Sequence, residues 1–485
     1  MGTKKLLALL MILVLAMGML TGCSPTEKEY YKLTTEAGTQ KVYQDSGSID
    51  LSLAHLPESI FEGEQSLDKD LFIQSINQHR IDYSGRVDLN QGIMQYDFTM
   101  VDNKTGKQSH ILSISGKNDT FYIQIDDMIN YLKGFSDAKE NQQLEKLFGN
   151  IEYVSFNSRD LENTIPGSEI MTDDNILHKS YQQQTVMHRL LNGLVNEVYD
   201  KYDRSNLISK NNNQYIFTLR GTNTVNIMES MAAYTINNID KLGTVLKAFI
   251  KSLDEQEMEQ LGYSNDMKGE ALKVIDEMVV DVKHNRHKYL TEIQAMSAEA
   301  NQDLGNSVND SELVSTIEKK DAHTYEMTSK IHLHITEETP SEELNIALNV
   351  KQTLKAYKDV KVVTPTTKIT SYRELEERMP RTMKVFVDDG AYSLDKGFSS
   401  SSGLINVRLE NDQAYLPLRT VAESLGEKAG WDAALEQAYV EQNGQRIVMN
   451  GLIIDGQMLI KARDWEGLGY KISWDDSTRT VNIEK

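Results

Sequence analysis

Cys23 is the only cysteine of the chain, and it closes an N-terminal pattern. Met1-Gly2-Thr3-Lys4-Lys5 is followed by an apolar run from Leu6 to Leu20 and then by Leu20-Thr21-Gly22-Cys23. A thiol at that place is a candidate for covalent modification. Once modified, it leaves no disulfide, no thiolate metal site and no cysteine nucleophile elsewhere in the chain. The other candidate groups are histidines, serines and carboxylates. His332 and His334 stand at i, i+2 on a strand-like segment, where two imidazoles could chelate a metal. Their face also carries Glu326, Thr328 and Lys330, so they read as the polar side of an amphipathic strand. His284 and His287 lie three apart in a helical segment beside Arg286 and Lys288, a poor setting for a cation. Ser399-Ser400-Ser401-Ser402-Gly403 reads as a serine-rich loop without the strand-turn-helix setting of a nucleophile elbow. Glu376-Glu377 and Asp388-Asp389 read as solvated surface rather than a paired acid and base. No phosphate loop, dinucleotide fingerprint, zinc-protease motif or calcium loop occurs. No catalytic residue, metal ligand or cofactor is therefore assigned, and a hydrolase with dispersed residues stays as an alternative.

The N-terminal pattern has the layout of a secretory signal: a basic start, a short apolar run and small residues before the cleavage point. The run Leu6–Leu20 is shorter than the roughly 20 residues a bilayer-spanning helix needs. Leu20-Thr21-Gly22-Cys23 resembles the lipobox of bacterial lipoproteins. That resemblance implies a diacylglycerol, with acyl chains such as palmitate, on the Cys23 sulfur. It also implies cleavage before Cys23 and attachment to the extracytoplasmic face of the cell membrane. Ser24 follows, so the aspartate associated with inner-membrane retention is absent. The formal charge of −21 becomes −23 once Lys4 and Lys5 leave with residues 1–22. An acidic body without a basic stripe excludes nucleic acid as a natural partner and is repelled by anionic lipid heads and wall polymers.

The elements that would carry these groups follow from periodicity. Residues 23–45 are polar and read as a tether. Beyond them Ile81, Tyr83, Val87 and Leu89, then Met94, Tyr96, Phe98 and Met100, then Leu112 and Ile114, then Phe121, Ile123 and Ile125 alternate between turn signals. That is an antiparallel meander with one buried face. Residues 174–203, 223–252 and 267–302 have helical spacing. A strand ends at Gly221, and strands return at Tyr325–Ile335 and Leu344–Val350. Residues 46–360 thus read as one α+β domain, a curved antiparallel sheet with a helical block against its apolar face. The layout resembles half-barrel lipoproteins that carry lipids in bacterial envelopes. The resemblance implies an apolar concavity under the helices; a closed, filled core is the alternative.

A connector over 361–383 with a short helix at 371–378 leads to a tandem repeat. At an offset of 43, Leu416, Glu423, Leu425, Gly426, Lys428, Trp431 and Asp432 match Leu459, Glu466, Leu468, Gly469, Lys471, Trp474 and Asp475. Each copy reads as turn, strand, short helix closed by Leu-Gly, and a strand carrying Trp-Asp. The pattern over 384–485 resembles the copper amine oxidase N-terminal-like domain, or stalk domain, of bacterial surface proteins. The resemblance implies an accessory module, since no histidine occurs in 384–485. In the second copy Ile460-Lys461-Ala462 replaces the proline-leucine-arginine of the first, so any role for that arginine rests on Arg419. Trp431 and Trp474 repeat in register and read as core. Trp465 is matched by Ala422 and is the candidate, with Arg419, for a surface that stacks on wall sugars. Asp432 and Asp475 read as turn residues.

The sequence thus points to a non-catalytic, membrane-anchored envelope lipoprotein that binds cell-wall glycan or envelope proteins through its C-terminal module. A carrier of lipid or another apolar ligand is the second reading.

Overall fold

A computed structural model describes residues 24–58, 69–134, 138–157, 160, 176–202, 207–261, 264, 266–304, 310–335, 343–397, 400–411, 413–433, 436–442 and 444–484. Cys23 and the signal-like segment lie outside the described residues. The chain divides into two compact units: Met1–Leu132 with Glu169–Thr366, and Lys133–Ser168 with Thr367–Lys485. The fold is mixed α and β, with a curled sheet and several helices followed by a small, mainly β domain.

The first unit opens with helix α1 (Pro25–Gly38) where the sequence suggested a tether. Ser24 caps it: its Oγ accepts from the Glu27 backbone N–H at 3.2 Å, and Glu27 Oε2 accepts from the Ser24 N–H at 2.9 Å. Tyr30, Leu33 and Ala37, spaced i, i+3, i+7, are buried, and Tyr30 stacks on Phe217. Polar composition hid that stripe. Strand β1 (Val42–His55) follows, then α2 (Lys69–Gln78), β2 (His79–Asp88), β3 (Ile93–Asp102), β4 (Gln108–Lys117), β5 (Thr120–Gln124) and α3 (Asp126–Lys133). Beyond α4 (Ala138–Phe148) and β6 (Tyr153–Asn157), which belong to the second unit, come α5 (Ile176–Gly193) with a π turn at Leu194–Val198, β7 (Ile208–Asn211) and β8 (Gln214–Arg220). The helical block then adds α6 (Gly221–Asn237), α7 (Ile239–Ser252), α8 (Glu255–Gln260), α9 (Met267–His284) and α10 (Arg286–Leu304). Strands β9 (Glu312–Lys319), β10 (Thr324–Ile335) and β11 (Leu344–Ala356) complete the unit.

Ten strands of this unit hydrogen-bond in the order β5-β4-β3-β2-β1-β11-β10-β9-β8-β7. Every pairing is antiparallel. The meander β2–β5 matches the expected one; β1 and β11 join it to the later strands. Register puts Ile49, Leu51 and Leu53 of β1 beside Val350, Leu348 and Ile346 of β11, all on one face. Helices α1 and α6 pack on the β7–β9 end of that face, α10 packs on α6, and α7 packs on α9 and the π turn; Met231, Ile236, Ile239, Leu242, Val282 and Ile317 lie in the core there. Burial of one such side chain stabilises by about 1.5–3 kcal/mol.

In the second unit β6 pairs in parallel with β12 (Ile369–Ser371), and α11 (Tyr372–Arg378) packs on β6. The segment 133–168, expected inside the 46–360 domain, therefore belongs with the C-terminal part. A parallel partner more than 200 residues away leaves no local trace in the sequence. The expected connector helix is α11, with a capping box between Ser371 and Glu374.

The repeat domain contains β13 (Thr382–Phe386), β14 (Ala391–Asp395), β15 (Ser400–Leu404), β16 (Arg408–Glu410), β17 (Gln413–Pro417), α12 (Leu418–Ser424), β18 (Lys428–Asp432), β19 (Gln437–Gln442) and β20 (Gln445–Met449). It ends with β21 (Leu452–Ile454), β22 (Gln457–Lys461), a 3-10 helix at Ala462–Leu468, β23 (Lys471–Asp475) and β24 (Thr480–Glu484). Of the serine run, Ser400–Ser402 lie in strand β15, not in a loop, and Ser399 lies outside the described residues. The two copies meet through β17 and β22, where Leu416 faces Ile460 and Pro417 faces Leu459. Gly426 and Gly469 both close their short helices with positive φ, +84° and +87°. A side chain would strain that left-handed backbone, which is why Leu-Gly recurs.

Candidate functional site

Two concave features stand out, one in each unit. In the first unit, α6 and α10 pack on each other above β8, β9 and β10 and leave a cavity of about 600 Å³. That size lies within the range of small-molecule sites. Its walls are Leu219, Val225, Met228, Ala232, Ile293, Met296, Ala300, Leu313, Ile331 and Leu333. The polar lining is sparse: Thr224, Glu229, Ser297, Ser311, Glu312 and His332. Ile331 and Leu333 are 40 % and 36 % exposed although they alternate onto the apolar face of β10, so the helices do not seal the sheet here. Each polar group has a definite partner. Ser297 Oγ donates to Glu229 Oε2 at 2.7 Å. Ser311 Oγ accepts from the His334 N–H at 3.0 Å and donates to its carbonyl at 3.1 Å. Glu312 pairs with Arg220 at 2.9 Å.

His332 and His334 do share a face, with rings 6.2 Å apart. His332 contacts Asn345 Oδ1 at 3.1 Å, and His334 contacts Glu343 Oε1 at 2.8 Å. Among the described residues no group of three His, Cys, Asp or Glu converges to hold a metal. His284 and His287 lie exposed on α9 and α10. Asp388 pairs with Arg479, and Glu376 and Glu377 lie on α11.

Further along the apolar sheet face, the one opposite His332 and His334, sits a polar cluster that periodicity did not reveal. Asp45 on β1 is 6 % exposed and accepts from Gln352 Nε2 at 3.1 Å and from the Tyr96 hydroxyl at 3.3 Å. Its Oδ1 has no hydrogen-bond partner. Burial pushes its carboxyl above the usual range, and the bonds from Gln352, Tyr96 and Tyr83 oppose that shift. Gly85 and Gly47 make room for the tyrosines: a Cβ on Gly85 would lie 2.2 Å from the Tyr96 ring, and one on Gly47 would lie 2.9 Å from the Tyr83 hydroxyl.

The second unit places the tryptophans the other way round from the sequence reading. Trp465, expected at the surface, is fully buried, edge-on to Tyr470 with ring centres 5.8 Å apart. Its partner in the repeat, Ala422, is equally buried. One position of the repeat is filled by a large side chain in one copy and a small one in the other. A missing counterpart therefore marked complementary packing, not exposure. Trp431 and Trp474, expected in the core, are 45 % and 39 % exposed on β18 and β23. They repeat because the two strands repeat, and each indole lies on the outer face. Leu425 and Leu468 are core residues. Asp475 accepts from the Ser477 hydroxyl and the Ser477 and Thr478 N–H groups, which hold its carboxyl at about 2. Asp432 ends β18, the strand that carries Trp431.

Trp431 borders a groove of about 480 Å³ together with Pro417, Arg419, Thr420, Gly430, Ile453 and Gln457. Arg419 is largely exposed and 3.8 Å from Glu423. An aromatic face, a guanidinium and an amide side by side can stack on and hydrogen-bond a sugar ring.

Residues 405–451 match the family model for the copper amine oxidase N-terminal domain. The match spans the first repeat copy from before β16 to β20. This domain type is non-catalytic by itself, and no catalytic amine oxidase domain is matched. No curated protein and no solved structure matches the chain.

Proposed function

We propose that the protein is a non-catalytic, lipid-anchored component of the bacterial cell envelope whose first unit carries an apolar ligand. The observation that carries this reading is the cavity under α6 and α10, with ten apolar side chains in its wall and a sheet face left partly exposed beside it. A core that only stabilised the fold would gain by closing over Ile331 and Leu333, since buried apolar area contributes about 25 cal/mol per Å². The lipobox-like Leu20-Thr21-Gly22-Cys23 supports anchoring through Cys23 on the extracytoplasmic face of the membrane. Native mass spectrometry of the chain from residue 24 onward tests the reading. Co-purified lipid that is lost in Ala300→Trp, which fills the cavity, is the expected result. A ligand-free mass after extraction-free purification, with no uptake of added lipid, would sink it.

The second reading concerns the C-terminal module. The groove around Trp431 and Arg419 supports contact with cell-wall glycan. The full chain is expected to pellet with purified cell wall, and Trp431→Ala to reduce pelleting at least about tenfold, the scale of one lost stacking contact. Equal pelleting of the two proteins would remove this groove as the contact.

A further inference from the structure

We infer that the cavity of the first unit selects a chain whose end group donates hydrogen bonds and carries no negative charge. The inference rests on the carrier reading and names the class of ligand for that same site. No lysine or arginine is among the described residues that line the cavity, whereas two glutamates are. Glu312 lies at the rim with the exposed Arg220 against it, so its charge is largely balanced. Glu229 is not balanced in this way. It projects from α6 between Val225 and Ala232, and its partner is a neutral hydroxyl, that of Ser297, itself 7 % exposed. No cation pairs with Glu229 among the described residues.

Glu229 is half-buried beside apolar walls, so a charge brought next to it is screened less than in bulk water. A fatty-acid carboxylate or phosphate brought to Glu229 is repelled, and the net charge of −23 over the chain without Lys4 and Lys5 adds to the repulsion. An alcohol or an ammonium has donors that Glu229 accepts. The methylene chain of the ligand would run along Leu313, Ile331 and Leu333. An acylglycerol, a prenol or an alkylamine has this chemistry; a free fatty acid does not.

Displacement of a neutral fluorescent arylamine from the chain from residue 24 onward measures the preference. The competitors are hexadecanol, hexadecylamine and palmitate, matched in length, at about pH 8, where the acid is ionised and the amine charged. Hexadecanol and hexadecylamine are expected to displace the probe at concentrations at least about tenfold below palmitate. Glu229→Gln is expected to narrow the gap by improving palmitate while leaving hexadecanol unchanged. Equal displacement by palmitate and hexadecanol in the unmodified protein overturns the inference, and does so even if the variant fails to fold. Failure of all three, and of the probe, removes the carrier reading and the inference with it.

Discussion

Asp45 and Trp465 are side chains whose surroundings differ from what their types suggest. Asp45 is an acid on an apolar sheet face, its carboxyl raised by burial against the bonds from Gln352, Tyr96 and Tyr83. A raised carboxyl means that the folded state binds the proton more tightly than the unfolded chain does. Its contribution to stability is therefore largest below the ordinary aspartate range and falls as pH rises through the raised value. Asp45→Asn, which keeps an acceptor without the charge, is expected to raise the melting temperature at neutral pH and to lose that advantage near pH 4. A variant less stable at both values would contradict the assignment. Trp465 is buried with its indole N–H unpartnered. Trp465→Phe removes that N–H and is expected to be tolerated. Trp465→Ala is expected to destabilise the second unit by about 3–5 kcal/mol in denaturant unfolding.

Most elements were legible because their apolar positions keep one period over several turns or pairs. The meander β2–β5, the helical stretches 223–252 and 267–302, which the structure divides into α6 with α7 and α9 with α10, and the repeat with its Leu-Gly stops all have this property. Strand β1 was not legible for a local reason. Its inward positions run Tyr43, Asp45, Gly47, Ile49, Leu51 and Leu53, and the acid and the glycine break the alternation. Both exceptions make sense only beside Tyr83 and Tyr96, residues of other strands. The apolar cavity was legible as an alternative, since period-two alternation reads the same over a filled core and an open one. The exposed tryptophans were misread because identity at one offset reports a shared position, not which side of a strand that position faces. Helix α1 was hidden by its polar residues, although Tyr30, Leu33 and Ala37 carry the stripe. Leu33→Ala separates a docked helix from a tether. A docked helix loses about 2–5 kcal/mol of stability in the first unit, whereas a tether would lose none.

At the scale of the whole molecule, charge and the proposed anchoring act in opposite senses. The chain carries −21, or −23 once the proposed cleavage removes Lys4 and Lys5, a charge that gives no attraction to anionic lipid. The unlipidated chain is expected not to sediment with vesicles rich in phosphatidylglycerol at low ionic strength. Salt-sensitive sedimentation would show a basic face that the composition does not provide. In the proposed reading, attachment would fall to Cys23, and α1 bears on how it would work. Its cap, Ser24, is the very next residue, and the helix is fastened to the sheet by Glu36, whose carboxylate meets Lys319 at 2.7 Å and the Tyr325 hydroxyl at 3.0 Å. An extended residue spans at most about 3.6 Å, so the proposed acylation at Cys23 would leave only a few ångströms of slack before Ser24. A carrier anchored in the proposed way could not swing across the periphery to a distant acceptor. It would load and unload at the lipid surface it stands on, or hand its cargo to a partner that comes to it.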